Sequence, residues 1–161
     1  MKSVRTVLVT ASILALVGGV GCAGQRYRTD AKFDTRYDFA SVDSFAFAPK
    51  REKVAASEGG RILEQAIRDQ LVARGYEEAS AESADVLVSY DIGVYARAKL
   101  SGSNSFPKSE GGLNVQVLDR QTGQSVWYGW SETIVRDSDD RVEVIGAATA
   151  ALFDDHIPTA D

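Results

Sequence analysis

Residues 84–96 (ADVLVSYDIGVYA) alternate without a break. Val86, Val88, Tyr90, Ile92 and Val94 fall on one side, and Leu87, Ser89, Asp91, Gly93 and Tyr95 on the other. A two-residue period of that length marks a strand with one buried face. It also fixes the register, because a slip of one residue would turn the apolar set to water. Such a strand needs partners beside it and a second layer over its apolar side.

The flanking segments supply both. Residues 26–34 alternate more weakly, with Tyr27, Thr29, Ala31 and Phe33 together, and suggest an edge strand. Tyr37-Asp38-Phe39 turns into a short strand over 44–48 that Pro49 stops. After a charged connector (50–60), Leu63, Ala66, Ile67 and Leu71 recur at helical spacing and predict a helix over 61–74. Gly75 suits its left-handed C′ position, with Tyr76 packing back on the last turn. Residues 99–112, rich in Gly and Ser around Pro107, read as a hairpin loop. Strands are expected over 112–118 and 125–136, joined by the Asp119–Gly123 turn. A last helix runs from 141 to about 153, capped by Asp140 with Glu143 reaching back, and buries Val142, Ile145, Thr149 and Leu152. The order predicts an α+β, two-layer domain: a mostly antiparallel sheet of about five strands with two helices packed on one face.

The one cysteine, Cys22, follows a short apolar run that ends in Gly18-Gly19-Val20-Gly21. Lys2 and Arg5, the uncharged stretch 6–17 and the small residues 18–21 have the three-part build of an export signal. The uncharged stretch is short for a spanning helix, which needs ~20 residues. V-G-G-V-G-C resembles a bacterial lipobox, with Gly19 where Leu is usual. That resemblance implies cleavage after Gly21 and acylation of Cys22, palmitate-type chains then holding the protein to a membrane. Ala23 is similar to the residue that sorts such proteins to the outer membrane. The expected organisation is a signal peptide (1–21), a lipidated tether (22–25) and one domain (26–158). The expected location is the periplasmic face of a Gram-negative outer membrane. An acylated Cys22 leaves no thiol for a disulfide or a metal, so stability must come from the core.

Loss of residues 1–21 leaves 16 basic against 23 acidic residues, a net charge of −7. An acidic surface repels nucleic acid, and that class of partner is excluded. Arg26, Arg28, Lys32 and Arg36 lie near the anchor, but Asp30, Asp34 and Asp38 are interleaved with them. They read as a mixed-charge strand edge.

Chemistry-bearing residues are sparse. Asp137, Asp139, Asp140 and Glu143 could form an oxygen site for calcium, yet they lack the alternating ligands and central glycine of a calcium loop. Acidic residues before a helix are what the helix dipole favours. His156, the only histidine, lies close to the C-terminus, and no G-x-S-x-G string accompanies it. Asp85, Asp91 and Asp119 could pair as acid and base, but their strand-start and turn positions suit backbone capping. Gly102, Gly111 and Gly112 do not lead from a strand into a helix, so no phosphate cradle is read. No metal or cofactor is expected. On the 125–136 strand, the small residues after Trp127 suit close helix packing, which turns Trp127 inward. Tyr128 and Trp130 are then left on the open face with Tyr95 from the neighbouring strand, as a candidate partner-binding patch.

Several strings resemble one family. Residues 37–47 (YDFASVDSFAF) are similar to its opening motif. Arg74-Gly75-Tyr76 with 84–90 (ADVLVSY) is similar to its central segment, 118–129 (LDRQTGQSVWYG) to its hairpin, and Leu152-Phe153 through Pro158 to its close. These are the bacterial lipoproteins of the domain-of-unknown-function 4136 family. Phe47 stands where Trp is usual and Tyr128 where Arg is common. The resemblance implies an α+β envelope domain and no catalytic residues. The first reading is a non-catalytic interaction module for an envelope protein partner; the alternative is a carrier or sensor of a small apolar ligand held between sheet and helices. A hydrolase is the least supported.

Overall fold

The computed structural model describes residues 27–49, 57–97, 108–136 and 139–154, and side chains throughout these except at 95–97 and 108–109. The leader, Cys22, Asp137 and His156 lie outside the described residues. So do most of the connector after Pro49 and the tip of the hairpin around Pro107.

Strand β1 (Tyr27–Phe33) leads through a 3-10 turn (Phe39–Ser41) into β2 (Ser44–Phe47). Helix α1 (Glu58–Ala73), β3 (Glu77–Glu78), β4 (Val86–Arg97), β5 (Lys108–Asp119), β6 (Ser125–Ile134) and α2 (Arg141–Asp154) follow. Ser57 starts α1 by accepting the Gly60 N–H at 3.0 Å, so the helix begins one turn earlier than its apolar stripe suggests. It ends at Gly75, whose φ of 95° is strained for any residue with a Cβ. Tyr76 then packs back into the core at 5% exposure.

The sheet has six strands in the order β1-β6-β5-β4-β2-β3. The three pairs from β1 to β4 are antiparallel, and β2 runs parallel to both β4 and β3. The expectation of about five mostly antiparallel strands misses the two-residue edge β3 and the parallel pairs. A helix inserted between β2 and β4 is the connection that parallel strands require. The three ladders set side by side place Trp127, Val117, Val88 and Phe47 in one row on the helix face. Gly129, Val115 and Tyr90 form the next row, then Ser131, Leu113 and Ile92, then Thr133, Gly111 and Val94.

Both helices cover that face. Trp127 meets Phe153 of α2 with ring centroids 5.7 Å apart, and the Arg68 guanidinium of α1 lies 5.0 Å from the Phe47 ring. Phe45, Leu63, Ile67, Val88, Val115, Leu152 and Phe153 complete a core from which solvent is excluded. At the β5–β6 turn the register slips: Val117 faces Trp127 while Leu118 faces Ser125. Val126 is the extra residue of this bulge, and it is buried with Trp127 instead of sharing the open face with Tyr128. No described helix is long and apolar enough to cross a membrane.

Candidate functional site

The layers part at one end. Strands β4, β5 and β6 run past the first turns of both helices, so the outer rows of the sheet lack a full cover. The result is a cleft of about 590 Å³ between the sheet and the N-termini of α1 and α2. Its walls are Ile92, Val94 and Leu113 from the sheet, Val135 beyond β6, and Val144 and Ile145 from α2. Deeper between the layers only about 20 Å³ is free among Val88, Val117, Trp127 and their neighbours, so the other end is closed.

One polar atom stands out in the cleft. Ser131 is 2% exposed, and its Oγ has no hydrogen-bond partner, the only such buried side-chain atom among the described residues. Leaving a buried hydroxyl unpaired costs on the order of 1–3 kcal/mol. Thr149, fully buried nearby on α2, returns its hydroxyl to the Ile145 carbonyl at 2.8 Å. Ser131 is on a strand, whose carbonyls point sideways into the ladder, and has no such local exit.

The rim is charged. Asp139 accepts the Arg136 backbone N–H at 3.0 Å, and Arg141 pairs with Glu58 at 3.1 Å. Asp140 caps α2 by accepting the Val142 N–H at 2.8 Å. These carboxylates are thereby occupied, and among the described residues the Arg136 guanidinium has no partner.

The other residues singled out in the sequence lie elsewhere. Asp85 accepts from the Ser44 hydroxyl at 2.7 Å and backbone N–H at 2.9 Å, which holds its carboxyl below the usual range. Asp119 accepts from the Thr122 hydroxyl and N–H, both at 2.7 Å, and is lowered by them. Asp91 accepts the Ile92 N–H. The three carboxylates are not gathered about any common point in the cleft, and no group of metal-ligating residues is found among the described residues. Gly111 and Gly112 line the cleft as strand residues.

On the open face, Trp127 is inward as expected, Tyr128 is 40% exposed and Trp130 half-buried. Both outward rings border a shallow groove of about 380 Å³ shared with Asp91, Asn114 and Glu132. Tyr95 is not brought to them. Strand β5 lies between, and Tyr95 sits in the row of Glu110 and Ile134, roughly 16 Å from Trp130 by strand spacing. Its side chain lies outside the described ones.

Ser131, Arg136 and Val94 were not legible as site residues. The small inward residues after Trp127 do serve helix packing at Gly129, and Ser131 is still buried, but by Thr133 the cover is incomplete. The available signal was a hydroxyl in line with the apolar residues Leu113 and Ile92.

Comparisons agree with this architecture. The family model described as "Domain of unknown function (DUF4136)" matches residues 29–156. Among solved structures, a PDZ domain protein from Parabacteroides distasonis is similar at 15% identity with a TM-score of 0.61. The match covers 79% of this chain and 34% of that one, so this chain spans about a third of it. The PelC dodecamer from Paraburkholderia phytofirmans is similar at 14% identity and a TM-score of 0.52, covering 78% of this chain and 95% of that one. At these identities the likeness is one of fold alone. No curated protein matches the sequence.

Proposed function

This chain belongs to the DUF4136 family, and on that footing we propose that it is a non-catalytic, lipid-anchored binding domain of the bacterial envelope. Its site is the cleft between sheet and helices, which takes a small, largely apolar molecule. The observation that carries this reading is the buried, unpaired Ser131 hydroxyl in an apolar cleft of about 590 Å³. Ligand sites combine such walls and volumes with a few polar groups that fix orientation. N-phenylnaphthylamine, a neutral dye that brightens in apolar sites, tests it. The protein should bind the dye saturably, and Val94→Trp, which places a large ring on an exposed wall residue, should abolish that signal without loss of fold. Equal binding by both proteins would sink the proposal.

The anchor rests on the leader and on Cys22. Residues 1–21 are removed, residues 22–25 form the tether, and the acyl chains hold the domain to the periplasmic face of the outer membrane. Unchanged processing and membrane fractionation after Cys22→Ala or globomycin would remove this part.

A second reading concerns the open face. Tyr128 and Trp130 border an uncovered groove, and neither the phenol nor the indole N–H has a partner among the described residues. This pair would contact an envelope protein. Tyr128→Ala with Trp130→Ala should then remove crosslinks to that protein while the domain stays folded.

A further inference from the structure

The chain enters the sheet beside the cleft mouth. Tyr27, the first residue of β1, pairs with Thr133, and that row continues through Gly111 to Val94. Thr133, Gly111 and Val94 all line the cleft. Only four residues separate Tyr27 from Cys22, so five Cα–Cα steps join them. A chain of that length spans at most about 18 Å. If Cys22 is acylated, the mouth is therefore held within a short tether's reach of the bilayer surface.

Two polar points then bracket an apolar wall. Ser131 lies at the inner end and Arg136 at the rim, five residues further along the chain, up to roughly 17 Å apart at the rise of a strand. Both helices begin at this end, and their N-termini add positive potential. The facing carboxylates Glu58, Asp139 and Asp140 are each engaged, with Arg141, the Arg136 N–H and the α2 cap respectively. Glu143, in the first turn of α2, is exposed and does not line the cleft. The exposed apolar Val94, 67% accessible at the mouth, would greet an alkyl chain.

We propose that the cleft holds a single-chain anionic amphiphile taken up from the membrane side. Its carboxylate-type head meets Arg136 at the rim, and a hydrogen-bonding group on its chain meets Ser131 at the inner end. This rests on the cleft being a ligand site and goes beyond it in naming the ligand's chemistry. The same chemistry could come from the anchor's own acyl chain; the proposal commits to a free molecule.

The test uses the mature lipoprotein held in phosphatidylcholine nanodiscs by its own anchor. Radiolabelled dodecanoate, ω-hydroxydodecanoate and dodecanol are titrated in, with empty nanodiscs giving the partition background. Saturable binding is expected, with ω-hydroxydodecanoate about fivefold tighter than dodecanoate, as one recovered hydrogen bond implies, and dodecanol about tenfold weaker. Ser131→Ala should erase the preference for the hydroxyl, and Arg136→Gln the preference for carboxylate over alcohol. Binding of all three alike, unmoved by either substitution, overturns the proposed ligand class. Binding of the neutral dye, lost in Val94→Trp, would in that case still stand for the cleft. Binding that appears only after mild alkali strips the ester-linked chains from Cys22 assigns the cleft to the anchor's own chain, and it overturns the proposal as well.

Discussion

The Trp127 indole lies along β6 over Gly129, two residues on, and leaves no room there for a side chain. A Cβ at Gly129 would stand 2.8 Å from the indole Cζ2 and 2.9 Å from Leu152 Cδ1. The glycine is therefore what lets the largest core residue lie flat between sheet and α2. Gly129→Ala should destabilise the domain by about 1–3 kcal/mol through overpacking. Gly93→Ala, where nothing lies within 4 Å of the added carbon, should be neutral or slightly stabilising. Urea unfolding of the two variants checks the contrast.

Asp85 holds the start of β2 to the start of β4. Its carboxylate accepts three hydrogen bonds, from the Ser44 hydroxyl and from the Asp43 and Ser44 backbones. The Ser44 hydroxyl is the main cause of its lowered pKa. Asp119 is lowered in the same way by Thr122. For a depressed carboxylate the stabilisation is present above the unfolded pKa of about 3.9, and it is lost as pH falls through the lower folded value. Stability should thus decline below about pH 4. Asp85→Asn should cost about 1 kcal/mol at neutral pH, and its deficit should shrink as the pH drops into that window. Denaturation at a series of pH values measures both.

Tyr37 donates its hydroxyl to Asp119 at 3.2 Å, tying the turn after β1 to the end of β5. Burial first, and then this hydrogen bond to a carboxylate, push the phenol up to about 12. A raised folded pKa gives stability that is complete below the unfolded value of about 10 and lost as pH rises towards 12. Tyr37→Phe should cost about 1 kcal/mol at neutral pH and remove this alkaline step. The phenolate absorbance of the folded wild type should show one tyrosine titrating late that the variant lacks.

Arg74 closes α1 against α2. One guanidinium nitrogen donates to the Gln70 carbonyl at 3.0 Å and the other to Asp154 at 3.2 Å, with the Phe153 ring 5.6 Å away. A lysine carries the charge but not the planar fork. Arg74→Lys should lower stability by about 1 kcal/mol, with Arg74→Ala costing more. Equal stability of the lysine variant and the wild type in thermal unfolding would show that charge alone suffices at this position.

Much of the fold was readable because its strands keep one face dry. The alternation from Val86 to Val94 places each of those residues on the helix face, and the Leu63-Ile67-Leu71 stripe is the buried side of α1. Local pattern says nothing about which strands pair, so the parallel neighbours of β2 had to come from tertiary placement. Glu77 and Glu78 are both exposed and carry no strand signal at all. The bulge at Val126 likewise breaks the period on which face assignment depends. The cleft was the least legible feature. It arises from a mismatch of lengths, with β4 and β5 at twelve residues each outrunning the start of the helices. No single residue encodes that overhang, and Ser131 becomes informative only once its buried hydroxyl is known to lie without a partner on the cleft wall.

The seven-residue β1 pairs only with β6 among the described strands, and it is the element closest in sequence to Cys22, the anchor proposed above. With Cys22 as the anchor, any tug between a membrane and whatever the domain holds would enter the body through Tyr27. Drawn along its own axis, β1 sets its bonds to β6 in shear, so they share the load at once instead of opening one after another. Forced unfolding is governed by the rate of the first rupture. The strand at which that tether would join the domain would therefore also be its mechanical fuse, with a strength that depends on the direction from which the domain is pulled.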